Sequence, residues 1–186
     1  MKYYLLLLLL FFVRKMLDQV RSRRHADALT QRGAVRVRDL GLIGFWLAHL
    51  SFFILVPLEL WLRKPPFIPA LGIPMLALFT NALCLRWWAT HLLAANWTSQ
   101  IAVNSDFQPV TCGPYRLVRH PNYLAMTVEL VALSLVYPTF VSAAIVATLT
   151  ISAVILRIHR EEETLFQVPA YRTAMAGKAR LIPGIY

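Results

Sequence analysis

Cysteine and acidic side chains are both scarce in this chain. Of its 186 residues two are cysteine and nine are Asp or Glu, set against nineteen Lys and Arg. Cys84 lies in an apolar run and Cys112 in a loop, and their spacing suits no metal, which excludes a disulfide framework and a thiolate metal site. The shortage of acids leaves a formal net charge of +10, which by itself would suit nucleic acid or an anionic membrane surface. No basic stripe interleaves with aromatics, so nucleic acid is excluded as a partner. The leucine run after Lys2 has no small-x-small cleavage site behind it, which argues against a removable signal peptide. No internal repeat appears, and residues 1–186 read as one domain.

What the chain has in quantity is apolar side chain. Hydrophobic residues make up 58% and the mean hydropathy is +0.56, beyond an ordinary soluble domain. The pattern predicts an all-α polytopic membrane protein with about five transmembrane helices. Residues 3–13 give a first span of about half the roughly 20 residues needed, with Arg14 and Lys15 snorkelling to the headgroups. Residues 16–39 are basic and amphipathic and are expected on the membrane surface. A second span covers 41–62 and stops at Arg63-Lys64-Pro65-Pro66. A third covers 68–95, with Pro69 and Pro74 disturbing its start. Residues 96–120 form a polar loop, 121–137 and 139–156 a helical hairpin broken at Pro138, and 157–177 an amphipathic helix. The short tail 178–186 follows. Sixteen of the nineteen cations fall in 14–39, 86–119 and 157–180. By the positive-inside rule those segments are cytoplasmic, which puts the 96–120 loop and the C-terminal helix together around one cytoplasmic pocket.

Three polar features stand out against this background. Residues 113–125, GPYRLVRHPNYLA, precede an apolar run. Pro121 suits the first helical turn, which leaves the amides of Asn122, Tyr123 and Leu124 beside Arg119 and His120, a place suited to a carboxylate or phosphate. A basic anchor with interfacial tyrosines would explain the same residues, Arg116 among them. The second feature is RIHREEE at 157–163, where Arg157 and Glu161 share a helical face; a solvated charge run is the alternative. If the two clusters meet, cations beside acids would suit an amino-acid moiety. The third is Glu129, an intramembrane carboxylate on the face of Asn122 and so a functional candidate. Structural pairing of Glu129 with Arg86 or His49 is the competing reading, with His49 itself taken as packing and Glu59 as solvated.

The ordered set LRWWA (85–89), NWT (96–98), GPYR (113–116), RHPNY (119–123), Arg157-x-x-x-Glu161-Glu162, Tyr171 and RLIP (180–183) resembles the isoprenylcysteine carboxyl methyltransferase family over residues 83–183. The resemblance implies an integral-membrane O-methyltransferase using S-adenosylmethionine. The cofactor would be held by Gln100, Gln108, Pro109, Val110, Tyr115, Arg119, His120, Pro121, Asn122, Tyr123, Glu161 and Glu162. Arg157 takes the family's position for substrate contact near the acceptor carboxylate. Two departures fall near the C-terminus: the family's Phe-Gly before Tyr171 is missing, and Lys178-Ala179 replaces Val-Pro before Arg180. Arg24-His25, Gly33-Ala34-Val35 and Asn122-Tyr123-Leu124-Ala125 look closest to bacterial members associated with type III polyketide synthases. That likeness implies a bacterial inner membrane and a hydroxyl acceptor on a long-chain phenol or pyrone, which enters from the bilayer. A phenol, with a pKa of about 10, benefits from a base, and Glu129 is the expected one. Carboxyl methylation of isoprenylcysteine is the alternative. Sterol reductases that use NADPH also carry Arg-His-Pro-Asn-Tyr, but with Gly and an acid where Ala125-Met126 stands here. A non-catalytic scaffold would explain the spans but not the paired polar clusters.

Overall fold

The computed structural model describes residues 1–37, 41–103 and 107–184, with the side chains of 36, 37, 102 and 103 left out. Positions 38–40 of the basic segment, 104–106 of the polar loop and 185–186 of the tail therefore lie outside the described residues. Six helices carry the fold: α1 (Lys2–Gln31), α2 (Gly41–Arg63), α3 (Pro69–Leu93), α4 (Pro121–Ser134), α5 (Phe140–Leu165) and α6 (Pro169–Met175). Two three-residue strands, β1 (Val35–Val37) and β2 (Ile101–Val103), pair antiparallel with Val35 opposite Val103. The chain is all-α apart from this ribbon, which ties the end of α1 to the loop after α3.

Three described helices are long and apolar enough to cross a membrane: Gly41–Arg63, Pro69–Asn96 and Phe140–Leu165. α4, at 14 residues, is about 21 Å long and short of a hydrocarbon core of about 30 Å. It turns at Leu135–Pro138 into α5, as the expected hairpin requires. Pro69 occupies the first turn of α3, where its missing N–H is not needed, and Pro74 sits inside the helix without ending it. α5 does not stop at Leu156. No proline or glycine intervenes before Pro169, so the helix carries Arg157 and the three glutamates onward to Leu165, and α6 is a separate short helix.

The largest departure is α1. It runs unbroken for 30 residues, and its apolar half is built into the bundle rather than set apart as a short span. Tyr4, Leu8 and Phe11 are buried against Phe52, Val56, Phe79 and Leu130, and the Tyr4 hydroxyl donates to the Leu133 carbonyl at 2.5 Å. Arg14 and Lys15 do not snorkel. Lys15 is buried, its Nζ 2.7 Å from Glu129 Oε2, and Arg14 Nη1 lies 3.1 Å from Oε1. Arg86 of α3 approaches the same carboxylate at 3.5 Å and bonds Asp18 at 3.3 Å. A charge in an apolar bundle is tolerated only when paired, so this cluster draws α1 onto α3 and α4. Between α2 and α5 the helices meet through small residues, a Cβ at Gly44 falling 3.0 Å from that of Ala153.

Replacing Glu129 with Gln leaves Lys15 buried without its counter-charge. A loss of stability of about 3–5 kcal/mol is expected on that ground, read as a lowered unfolding midpoint of the detergent-solubilised protein. An unchanged midpoint would remove the cluster from the account of how α1 is held.

Candidate active site

The Gly-Pro-Tyr-Arg stretch is a 3-10 turn (Gly113–Arg116) held against the end of α3. Gly113 has φ +57°, and a Cβ there would come within 2.5 Å of Leu92 Cδ1, so both conformation and space call for glycine. The turn delivers Arg119 and His120 to the start of α4. There the amides of Tyr123 and Leu124 donate to the His120 carbonyl at 3.1 and 3.2 Å. The expected row of free amides is therefore mostly spent within the helix start.

A single buried carboxylate fixes this entrance. Glu162 Oε1 lies 3.1 Å from Arg119 Nη1 and 3.2 Å from His120 Nε2, and Oε2 accepts from Arg180 Nε at 2.9 Å. The tail is laced on by its backbone as well. The amides of Arg119 and His120 donate to the carbonyls of Ala179 and Arg180, both at 2.9 Å. Lys178 Nζ donates to the Tyr115 carbonyl at 2.7 Å. The Lys178-Ala179 departure from the family pattern thus sits where the tail closes on the Gly-Pro-Tyr-Arg turn.

The turn, the helix entrance and the ends of α5 and α6 enclose a cleft. Gln100, Pro109, Val110, Tyr115, Arg119, His120, Asn122, Tyr123 and Glu161 all line it. Pro121 is buried as the first residue of α4, Glu162 stands behind Arg119 and His120, and Gln108 is exposed beside the cleft. The structure also supplies lining residues that the sequence did not single out as ligands: Trp97, Leu165, Tyr171 and Met175. Trp97 and Tyr171 were visible as motif residues, while Leu165 and Met175 read as ordinary apolar positions. Burial, with Glu161 nearby, pushes the Tyr115 and Tyr171 hydroxyls above the usual tyrosine range, so both remain protonated.

Two buried polar atoms at the cleft have no hydrogen-bond partner: Arg119 Nε, a donor, and Asn122 Oδ1, an acceptor. Such orphans are rare and call for a partner, whether water or a bound group. The Tyr123 hydroxyl donates to Glu161 Oε2 and accepts from Arg157 Nε at 3.1 Å, while Arg157 Nη2 donates to the Ser99 carbonyl at 2.7 Å.

Arg157 and Glu129 are not among the residues that line this cleft. Arg157 is 1% exposed and stands behind Tyr123 and Ser99, to both of which it donates. Glu129 is 0% exposed, with both oxygens in ion pairs, and a substrate proton cannot reach it. The base expected at Glu129 is thus replaced by a structural role, which the sequence allowed as pairing with Arg86.

A second cavity adjoins the cleft. It lies between α1 and α2, with apolar walls from Phe45, Trp46 and Phe53, and Trp97 lines both cavities. Tyr123 on the cleft side packs its ring 5.5 Å from that of Phe45 on the chamber side.

The comparisons with known proteins fall on this region. The family model for the isoprenylcysteine carboxyl methyltransferase (ICMT) family matches residues 75–167, half of the chain and most of the cleft. The chain belongs to the isoprenylcysteine carboxyl methyltransferase family. It is an integral membrane protein built on the framework of a membrane methyltransferase. Two bacterial relatives are uncharacterised: YpbQ of Bacillus subtilis, 26% identical over 86% of this chain and 95% of its own, and a Haemophilus influenzae protein, 26% identical over 77% and 84%. Among solved structures, the eukaryotic intramembrane Ras methyltransferase ICMT superposes with TM-score 0.55 at 22% identity, over 76% of this chain. That likeness is one of fold. The chain spans about half the length of the eukaryotic enzyme, 52%.

If Glu162 fixes the tail, Glu162→Gln should free it. Trypsin cleavage at Lys178 or Arg180 is expected to quicken by about tenfold or more, as local opening becomes easier. A cleavage rate equal to that of the parent would mean the backbone bonds alone hold the tail.

Proposed function

We propose that the cleft binds S-adenosylmethionine and that the protein methylates a hydroxyl of a lipophilic acceptor, a long-chain phenol or pyrone, presented from the adjoining apolar chamber. The observation that carries this reading is the pair of orphaned atoms in the cleft. A zwitterionic amino-acid end offers a carboxylate to Arg119 Nε and an ammonium to Asn122 Oδ1, with Glu161 and Gln100 on the same wall. When bound, S-adenosylmethionine would supply an electrophilic methyl group open to in-line displacement, the sulfur–methyl bond breaking as the oxygen–methyl bond forms and the hydroxyl proton passing to water.

The chain's own residues then have positional work. Glu162 holds Arg119 and His120 against the cleft, and His120 stacks on Tyr123 with ring centroids 5.4 Å apart. Tyr123, fixed between Arg157 and Glu161, forms the partition between the two cavities. Displacement at a methyl group demands alignment more than covalent help, and a rigid partition provides it. The chamber admits a lipid tail sideways, since Phe12, Trp46 and Leu50 at its rim are exposed toward the bilayer. In this reading the cleft faces the cytoplasm of a bacterial inner membrane, because sixteen of nineteen cations lie in segments on its side.

Carboxyl methylation of a prenylated cysteine is the second reading, and family membership favours it. It needs a cation to orient the acceptor carboxylate; Arg157 is engaged by Ser99 and Tyr123, whereas Arg86 lines the chamber with Nε and Nη1 lacking hydrogen-bond partners among the described residues.

Titration of the solubilised protein with S-adenosylhomocysteine should show saturable binding, with none for NADPH. Labelled S-adenosylmethionine should methylate an alkylresorcinol or alkylpyrone well above a prenylated cysteine. Binding of NADPH alone would support a reductase, binding of neither a scaffold, and preference for the prenylated cysteine the second reading.

A further inference from the structure

We propose that the chamber between α1 and α2 is a recognition site for a hydroxyl-bearing aromatic ring, with His49 Nε2 accepting the hydrogen bond from its hydroxyl. The inference rests on the reading of the neighbouring cleft as a methyl-donor site and names what faces it.

Size comes first. The chamber holds about 180 Å³, and an apolar cavity of about 150 Å³ accepts benzene. One ring fits, with its tail leaving between the exposed side chains of Phe12, Trp46 and Leu50.

The polar wall decides the chemistry. Four groups that bear or can bear charge line it: Lys15, Asp18, His49 and Arg86. Lys15 is engaged by Glu129 at 2.7 Å, and Arg86 by Asp18 at 3.3 Å and Glu129 at 3.5 Å. Arg86 Nε and Nη1 have no hydrogen-bond partner among the described residues, so a carboxylate head would find donors there, but it would also meet Asp18, 3.3 Å from Arg86 Nη2. His49 differs. Its Nδ1 lies 2.7 Å from the Phe45 carbonyl, which can only accept, so Nδ1 carries the hydrogen. The neutral ring then presents Nε2 as an acceptor, and Nε2 has no hydrogen-bond partner among the described residues. An acceptor in an apolar chamber selects a donor, and a neutral hydroxyl provides one without bringing charge.

Location ties this to the cleft. His49 stands four residues along α2 from Phe45, a rise of about 6 Å, and the Phe45 ring packs on Tyr123 of the cleft. Ser99 lines the chamber next to Thr98 and Gln100 of the cleft. A ring held at His49 therefore lies against the partition.

The test uses the full chain in detergent and three probes: 4-dodecylphenol, its methyl ether 4-dodecylanisole, and 4-dodecylbenzoate. The phenol is expected to bind at least about tenfold tighter than the ether, or about 1.4 kcal/mol. His49→Phe should reduce phenol binding to the level of the ether, and His49→Gln, which retains an acceptor, should keep part of the preference. Equal binding of phenol and ether by the unaltered protein overturns the proposal, as does a preference that persists in His49→Phe. Tighter binding of the benzoate than the phenol also overturns it. S-adenosylhomocysteine is titrated in parallel. Its undiminished binding to His49→Phe shows that the variant is folded, and its failure to bind the unaltered protein would refute the cleft reading separately, without touching the phenol-to-ether ratio.

Discussion

Arg157 is the residue on which the rest of the site depends. Its guanidinium is sealed inside the protein and joins three pieces of chain at one point. It donates to the Ser99 carbonyl of the loop after α3 and to the Tyr123 hydroxyl of α4, and it lies 3.9 Å from Glu161 one turn along its own helix. A buried guanidinium must find acceptors in a fixed planar arrangement, so these groups are constrained in angle as well as distance. The partition between cleft and chamber is the product of that constraint. Tyr123 is its middle, with the Phe45 ring on one side and the His120 ring on the other.

Two other buried carboxylates divide the remaining work. Glu162 gathers Arg119, His120 and Arg180 and so builds the cleft. Glu129 gathers Arg14, Lys15 and Arg86 and so draws α1 onto α3 and α4, with the chamber left between α1 and α2. The sequence is short of acids because few are needed. Glu59 joins this set, since it is buried and accepts from the Ser142 amide at 2.8 Å and hydroxyl at 2.6 Å instead of facing water. Each of the three is met by several donors, which is what an apolar surrounding demands.

How much of this could be read from the sequence depends on how local each signal was. The start of α4 at Pro121 and the hairpin break at Pro138 follow from proline chemistry, and both appear in the structure. The meeting of the two polar clusters was also legible, because a hairpin returns the end of α5 to the start of α4. What could not be read depended on distant partners. Arg14 and Lys15 look like the end of a span until Glu129, more than a hundred residues later, is known to face them. For Glu129 and Arg157 the sequence shows that a charge is buried but not which groups pair with it. His49 read as packing because the chamber it faces exists only once α1 lies alongside α2.

The central claim is that cleft and chamber, which share Trp97 in their walls, are two halves of one reaction site. A single ligand can test that directly: an adenosylhomocysteine analogue with nitrogen in place of sulfur, joined through two carbons to the oxygen of 4-dodecylphenol. If the cavities adjoin as described, linking the two parts makes the second contact intramolecular, and affinity should exceed that of S-adenosylhomocysteine alone by about a hundredfold or more. Binding no tighter than S-adenosylhomocysteine alone would contradict the account, because it would mean that the two cavities cannot be occupied across that partition at once.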